Sequence, residues 1–141
     1  MDQTVSIIFA FSAILLFAGL LFVIIALTRR APKGINVEKY RCDWLDIEKT
    51  LQKDIPATYT MAILNADSLL DKALRESGFP GQNMGERMKA AQKSWSNADV
   101  VWSAHKMRNR IAHEANTQVN FDTARRTLAS FKKGLKDLGA I

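Results

Sequence analysis

The sequence predicts an all-α protein: a single N-terminal transmembrane helix followed by a small bundle of four to five helices. Three observations carry that prediction. Val5 to Leu27 reads VSIIFAFSAILLFAGLLFVIIAL, 23 residues without a charge. Beyond residue 37, apolar residues recur three and four apart, the period of a helix with one buried face, and nowhere alternate as a half-buried strand would. Glycine, proline and asparagine fall between those periodic stretches, where helices start and stop.

The first element is apolar on every side, so it lacks the two faces of a soluble amphipathic helix. At 1.5 Å per residue it reaches roughly 34 Å, enough to cross a hydrocarbon core of about 30 Å with some tilt. A cleaved signal peptide would carry a basic leading region and a shorter apolar run. Here Met1, Asp2, Gln3 and Thr4 precede the run, and TRRAPKG follows it. The expectation is a retained anchor over residues 1–28. Arg29, Arg30 and Lys33 stand after the span and Asp2 before it. Positive charge is retained on the cytoplasmic side, which places the protein in the cell membrane as a single-pass chain, N-terminus outside and C-terminal domain in the cytoplasm. Pro32 and Gly34 then break the helix, giving a linker over residues 29–37.

The domain expected over residues 38–141 is helical throughout. Tyr40, Trp44, Ile47 and Leu51 mark a helix from Glu38 to Lys53. Pro56 suits the first turn of the next, which carries Tyr59, Ile63, Ala66, Leu70 and Leu74 and stops at Gly78. SGFPGQNMG is a loop. A shorter helix runs from Gly85 to Ser94, and a turn through Ser96 and Asn97 leads to one carrying Val101, Trp102 and Ala104. Asn120 caps the last helix, whose stripe of Phe121, Ala124, Leu128, Phe131, Leu135 and Leu138 ends at Gly139. Trp95 and Trp102 are expected in the core, and MGERMKAAQK reads as an ordinary amphipathic helix.

Composition narrows the function. From Glu38 onward there are 17 basic and 13 acidic residues, a net +4. That suits a polyanion such as RNA and is also ordinary for a cytoplasmic surface. The single cysteine, Cys42, rules out an internal disulfide framework and fits a reducing compartment. His105 and His113 lie about 12 Å apart along a continuous helix, too far to share one ion, so no metal site and no cofactor are expected. No serine sits in a nucleophile elbow, and GFPGQNMG lacks the lysine of a phosphate-binding loop.

What remains is RNRIAHE, Arg108 to Glu114. Asn109 and His113 are four apart and share a helix face, so the amide could orient the imidazole. Arg108 beside a titratable ring suits phosphodiester chemistry. Arg and His near a helix end also serve simply to satisfy terminal carbonyls. His105, four residues before Asn109, either lines the same groove or packs. Arg110 is either a second phosphate contact or part of a solvated face.

The string HKMRNRIAHE, followed by an amphipathic helix ending in LKDLG, resembles the HEPN superfamily (higher eukaryotes and prokaryotes nucleotide-binding domains). That family is an all-α bundle marked by an arginine, four to six residues, then a histidine, with a polar residue after the arginine. Arg108, Asn109 and His113 fill those positions, and the resemblance covers most of Tyr59 to Gly139. It implies a metal-independent endoribonuclease that needs no cofactor, with His113 as base, Arg108 as clamp and Asn109 as orienting group. His105 and Arg110 would be RNA contacts. It also implies a homodimer whose two motifs face each other, and a regulatory or antitoxin protein as a further partner. The rival expectation is a non-catalytic module that binds RNA, nucleotide or protein.

Overall fold

The computed structural model describes residues 3–28 and 34–141. Among the described residues there are six α-helices and no strand, and the chain divides into two compact units, Met1–Ala31 and Pro32–Ile141. The all-α class is therefore the observed one. Asp2, Arg29, Arg30, Pro32 and Lys33, used above for the linker and the orientation, lie outside the described residues.

In the first unit, α1 runs Gln3–Thr28, and its side chains are exposed as far as Ile25. Its 23 residues from Gln3 to Ile25 are long and apolar enough to cross a membrane. Ser12 returns its hydroxyl to Ile8 O at 2.9 Å, so this polar group is satisfied inside the helix.

The second unit is a five-helix bundle: α2 (Val37–Thr50), α3 (Ala57–Glu76), α4 (Met84–Ala90), α5 (Ala98–His113) and α6 (Phe121–Asp137). Four of the five start at asparagine. Asn36, Asn83, Asn97 and Asn120 accept from the backbone N–H three residues on, satisfying a donor that the first turn otherwise leaves open. Glu86 answers Asn83 by accepting from Gln82 N at 2.7 Å. At the other ends, Gly78 (φ 82°) and Gly139 (φ 68°) take the left-handed conformation that closes a helix. Phe79 N then donates to Leu74 O, and Ala140 N to Leu135 O.

α3 is the central helix and packs on α2, α4, α5 and α6. Ile63, Ala66, Leu70 and Leu74 meet Tyr40 and Trp44 of α2, Met88 of α4, Val101 and Ala104 of α5, and Leu128, Phe131 and Leu135 of α6 in one core. Each large side chain so buried contributes about 1.5–3 kcal/mol. A Cβ on Gly134 would lie 3.2 Å from Val101 Cγ1 and 3.4 Å from the Leu70 methyls, so glycine sets how closely α6 approaches. Tyr40 donates to Glu76 Oε2 at 2.9 Å; burial, with that carboxylate beside it, raises the phenol's pKa.

Two boundaries differ from the periodicity. α2 stops at Thr50, and Leu51 turns extended as the cap, because Thr58 ties Gln52 and Ile55 into the corner before Pro56. The expected helix over residues 85–94 is α4 followed by a short 3₁₀ turn, Gln92–Ser94, which lets Trp95 reach the core and donate to Met88 O at 3.0 Å.

Candidate functional site

α5 carries the RNRIAHE motif along its last two turns. Its first half is anchored by Val101, Ala104 and His105, all buried, while residues 112 to 114 are exposed. The motif therefore runs from half-buried to exposed positions, just beyond the buried part of the same helix.

Where α5 passes α3, an open groove of ≈ 880 Å³ forms between them and the start of α4, lined by Asp67, Trp102, His105, Arg108 and Asn109 among others. Its floor is a chain of hydrogen bonds. Asp67 of α3 is buried, and its Oδ1 lies 2.8 Å from His105 Nδ1. His105 Nε2 lies 3.2 Å from Asn109 Nδ2, and Asn109 Oδ1 accepts from Arg108 Nη1 at 3.1 Å. Arg108 Nε lies 3.2 Å from Asp67 Oδ2, but its N–H is not aligned on that oxygen, so the contact is an ion pair rather than a hydrogen bond.

The chemistry of the two ends fixes every direction between them. A carboxylate only accepts, so His105 Nδ1 carries the hydrogen. A guanidinium only donates, so the Asn109 oxygen faces Arg108 and its NH₂ faces His105. Nε2 must then be the acceptor. The neutral Nδ1–H imidazole satisfies all three contacts at once.

The rest of the groove is braced by a second fork. Arg87 of α4, buried, donates from Nε and Nη2 to the two oxygens of Asp71 at 2.8 and 3.0 Å, and from Nη1 to Gly81 O at 2.8 Å. A planar guanidinium is matched to a carboxylate in this way, and here it holds the loop before α4 against α3. Trp102 is half-buried on the groove wall, edge-on to His105 with ring centroids 6.2 Å apart. Trp95 lies in the core as expected; Trp102 is shared between core and groove.

The sequence-derived site residues thus divide. Arg108, Asn109 and His105 come together in the groove. His113, the last residue of α5, is exposed and does not line it, and Arg110 is exposed with its Nε 3.5 Å from Glu114 Oε2. Asn109 turns back to His105 instead of forward to His113, because helical side chains lean toward the N-terminus and cover the preceding turn. Arg108 and His113 are five residues apart, so they diverge by about 140° around α5 and are separated by about 7.5 Å along it.

Reasoning from the motif alone missed Asp67, Asp71 and Arg87. An Asp at position 67, between Ala66 and Leu69 on the helix that carries most of the core, was the available signal, since a buried carboxylate requires a partner. No group of three or more potential metal ligands occurs among the described residues. Comparison of the chain with protein-family models, characterised proteins and solved structures finds no match in any of the three.

Proposed function

We propose that this chain is a membrane-anchored, metal-independent endoribonuclease that acts as a homodimer, with Arg108 and His113 as the reacting pair. The observation that supports it is the contrast within the motif: Arg108 is held at the groove by Asp67 and Asn109, while His113 stands exposed at the end of the same helix. RNA brings its own nucleophile. His113 takes the proton of a 2′-hydroxyl, and the oxygen attacks the adjacent phosphorus. The bond to the 5′-oxygen breaks, and that oxygen leaves as a hydroxyl after taking a proton from solvent. Charge growing on the phosphoryl oxygens is met by the Arg108 guanidinium. The products are a 2′,3′-cyclic phosphate and a 5′-hydroxyl.

The divergence of Arg108 and His113 around α5 favours a site completed by a second copy, the base of one chain facing the clamp of the other. The apolar α1 would hold two copies at raised effective concentration in one membrane, with the basic residues after it, and so the bundle, on the cytoplasmic side. A regulatory or antitoxin protein would restrain the activity. The second reading is a module that binds RNA without cutting it; it is favoured by the Asp67 carboxylate, which offsets part of the Arg108 charge.

The test is the full chain in detergent micelles, incubated with mixed RNA in EDTA beside Arg108→Ala. Cleavage leaving cyclic phosphate ends, lost in the variant, is the expected result. RNA left intact but retained, with an affinity that falls as salt rises, would replace the ribonuclease by the binding module. Cleavage only on adding a divalent ion would contradict both.

A further inference from the structure

We infer that Asp67, His105 and Asn109 form a positioning relay whose output is the orientation of the Arg108 guanidinium, with His105 serving as a neutral spacer and not as an acid, a base or an RNA contact. The inference deepens the reading of Arg108 as the phosphate contact and rests on it for its catalytic meaning; the relay itself rests on geometry alone.

Four features lead to it. His105 is buried, and both ring nitrogens are engaged, Nδ1 by Asp67 at 2.8 Å and Nε2 by Asn109 at 3.2 Å. No ring nitrogen is left for a substrate proton. Asn109 touches both His105 and Arg108, so its amide passes the polarity set at Asp67 on to the guanidinium. Asp67 closes the circuit, meeting His105 with one oxygen and Arg108 Nε with the other. Arg108 is thereby constrained on two of its three nitrogens. The third, Nη2, donates to no protein group among the described residues, and at 36% side-chain exposure the residue still reaches the groove mouth.

Such an arrangement supplies preorganisation. A free arginine side chain has many rotamers to lose, and a guanidinium already oriented loses fewer of them when a phosphate arrives. Turning the Asn109 amide over would set two donors against each other at Arg108 and at the same time offer His105 an oxygen, so the relay has one self-consistent polarity.

The experiment is nitrogen-15 NMR of the full chain in micelles, read without RNA and so independent of any cleavage. The His105 ring should show a protonated Nδ1 and an unprotonated Nε2, with the His113 signals identified by their absence in His113→Ala. The Arg108 Nη resonances should be resolved by slow rotation about the Nε–Cζ bond, and should merge in Asn109→Ala while the backbone spectrum is retained. In Asn109→Asp, a carboxylate facing Nε2 should bring a proton onto that nitrogen. A His105 ring protonated on Nε2 in the native chain would overturn the relay. So would an Arg108 guanidinium whose rotation is unchanged by Asn109→Ala. If the signatures hold and RNA is not cut, the relay stands and the ribonuclease reading falls.

Discussion

His105 and His113 share a helix and differ in nearly everything else. His105 is buried, bonded on both ring nitrogens, and tied through Asp67 to α3. His113 closes α5, exposed, just before the turn that Thr117 fastens to Arg110 O. The difference shows that a histidine's role is set by what the fold places beside it. In the middle of α5, a neighbouring helix supplies a carboxylate and the ring becomes a structural spacer. At the end of α5 the ring is exposed and no groove side chain packs against it among the described residues, which is why it is the proposed base.

That contrast can be broken or sharpened by substitution. The largest effect should fall on activity: His113→Ala should lower metal-free RNA cleavage by about 10²–10⁴-fold, the usual contribution of a general base, while changing stability by less than about 0.5 kcal/mol. Rate assays beside urea unfolding would check both halves, and a large stability loss would erase the distinction between the two histidines. Next comes His105→Ala, which leaves Asp67 buried with only the ion pair to Arg108. We expect a stability loss of about 2–4 kcal/mol in urea unfolding, as for other buried polar groups stripped of a partner. A neutral outcome would mean that His105 is as dispensable to the fold as His113.

Smaller again is Arg87→Lys. An ammonium retains the charge but cannot make the forked contact to Asp71 and reach Gly81 O together, so a loss of about 1–2 kcal/mol is expected, with faster amide exchange in the loop before α4. Smallest is Glu48→Gln. The Glu48–Lys132 bridge, 2.7 Å, joins α2 to α6 with both side chains more than a third exposed. Burial acts to raise the Glu48 carboxyl, but the hydrogen bond and charge of Lys132 outweigh it and hold the carboxyl below its ordinary range. A carboxyl held low in the folded state contributes stability above its unfolded pKa and loses it as pH falls through the folded one. Because solvent screens the pair, the substitution should cost only a few tenths of a kcal/mol near neutral pH and nothing once the carboxyl is protonated. Urea unfolding at pH 7 and pH 3 separates the two.

The same buried-to-exposed gradient explains what could be read from the sequence. Helix identity was legible because apolar spacing and asparagine caps are local signals, as at Asn120 and the stripe from Phe121 to Leu138. The end of α2 was not, because Leu51 keeps the period while the corner before Pro56 pulls the backbone out of the helix. Arg108, Asn109 and His105 were visible as a motif, but their mutual order was not. Spacing four apart offers Asn109 both His105 and His113; the lean of helical side chains and the carboxylate of Asp67, 38 residues from His105, decide for His105. A contact at that separation is made by the packing of α3 on α5 and leaves no local trace. Arg87 was hidden for the same reason, since its fork partner is Asp71 on another helix.

Division of labour along α5 also bears on how many chains make a site. Arg108 and His113 diverge around one helix, and on the proposed reading the base and the clamp come from two copies. The most direct measurement is complementation in micelles: Arg108→Ala and His113→Ala chains, each inactive alone, are co-reconstituted and assayed on RNA in EDTA. Recovery of cleavage in the mixture, with cyclic phosphate ends, is the expected result, since one intact pair forms across the mixed dimer. A mixture as inactive as either variant, beside an active native chain, would contradict a site shared between two copies.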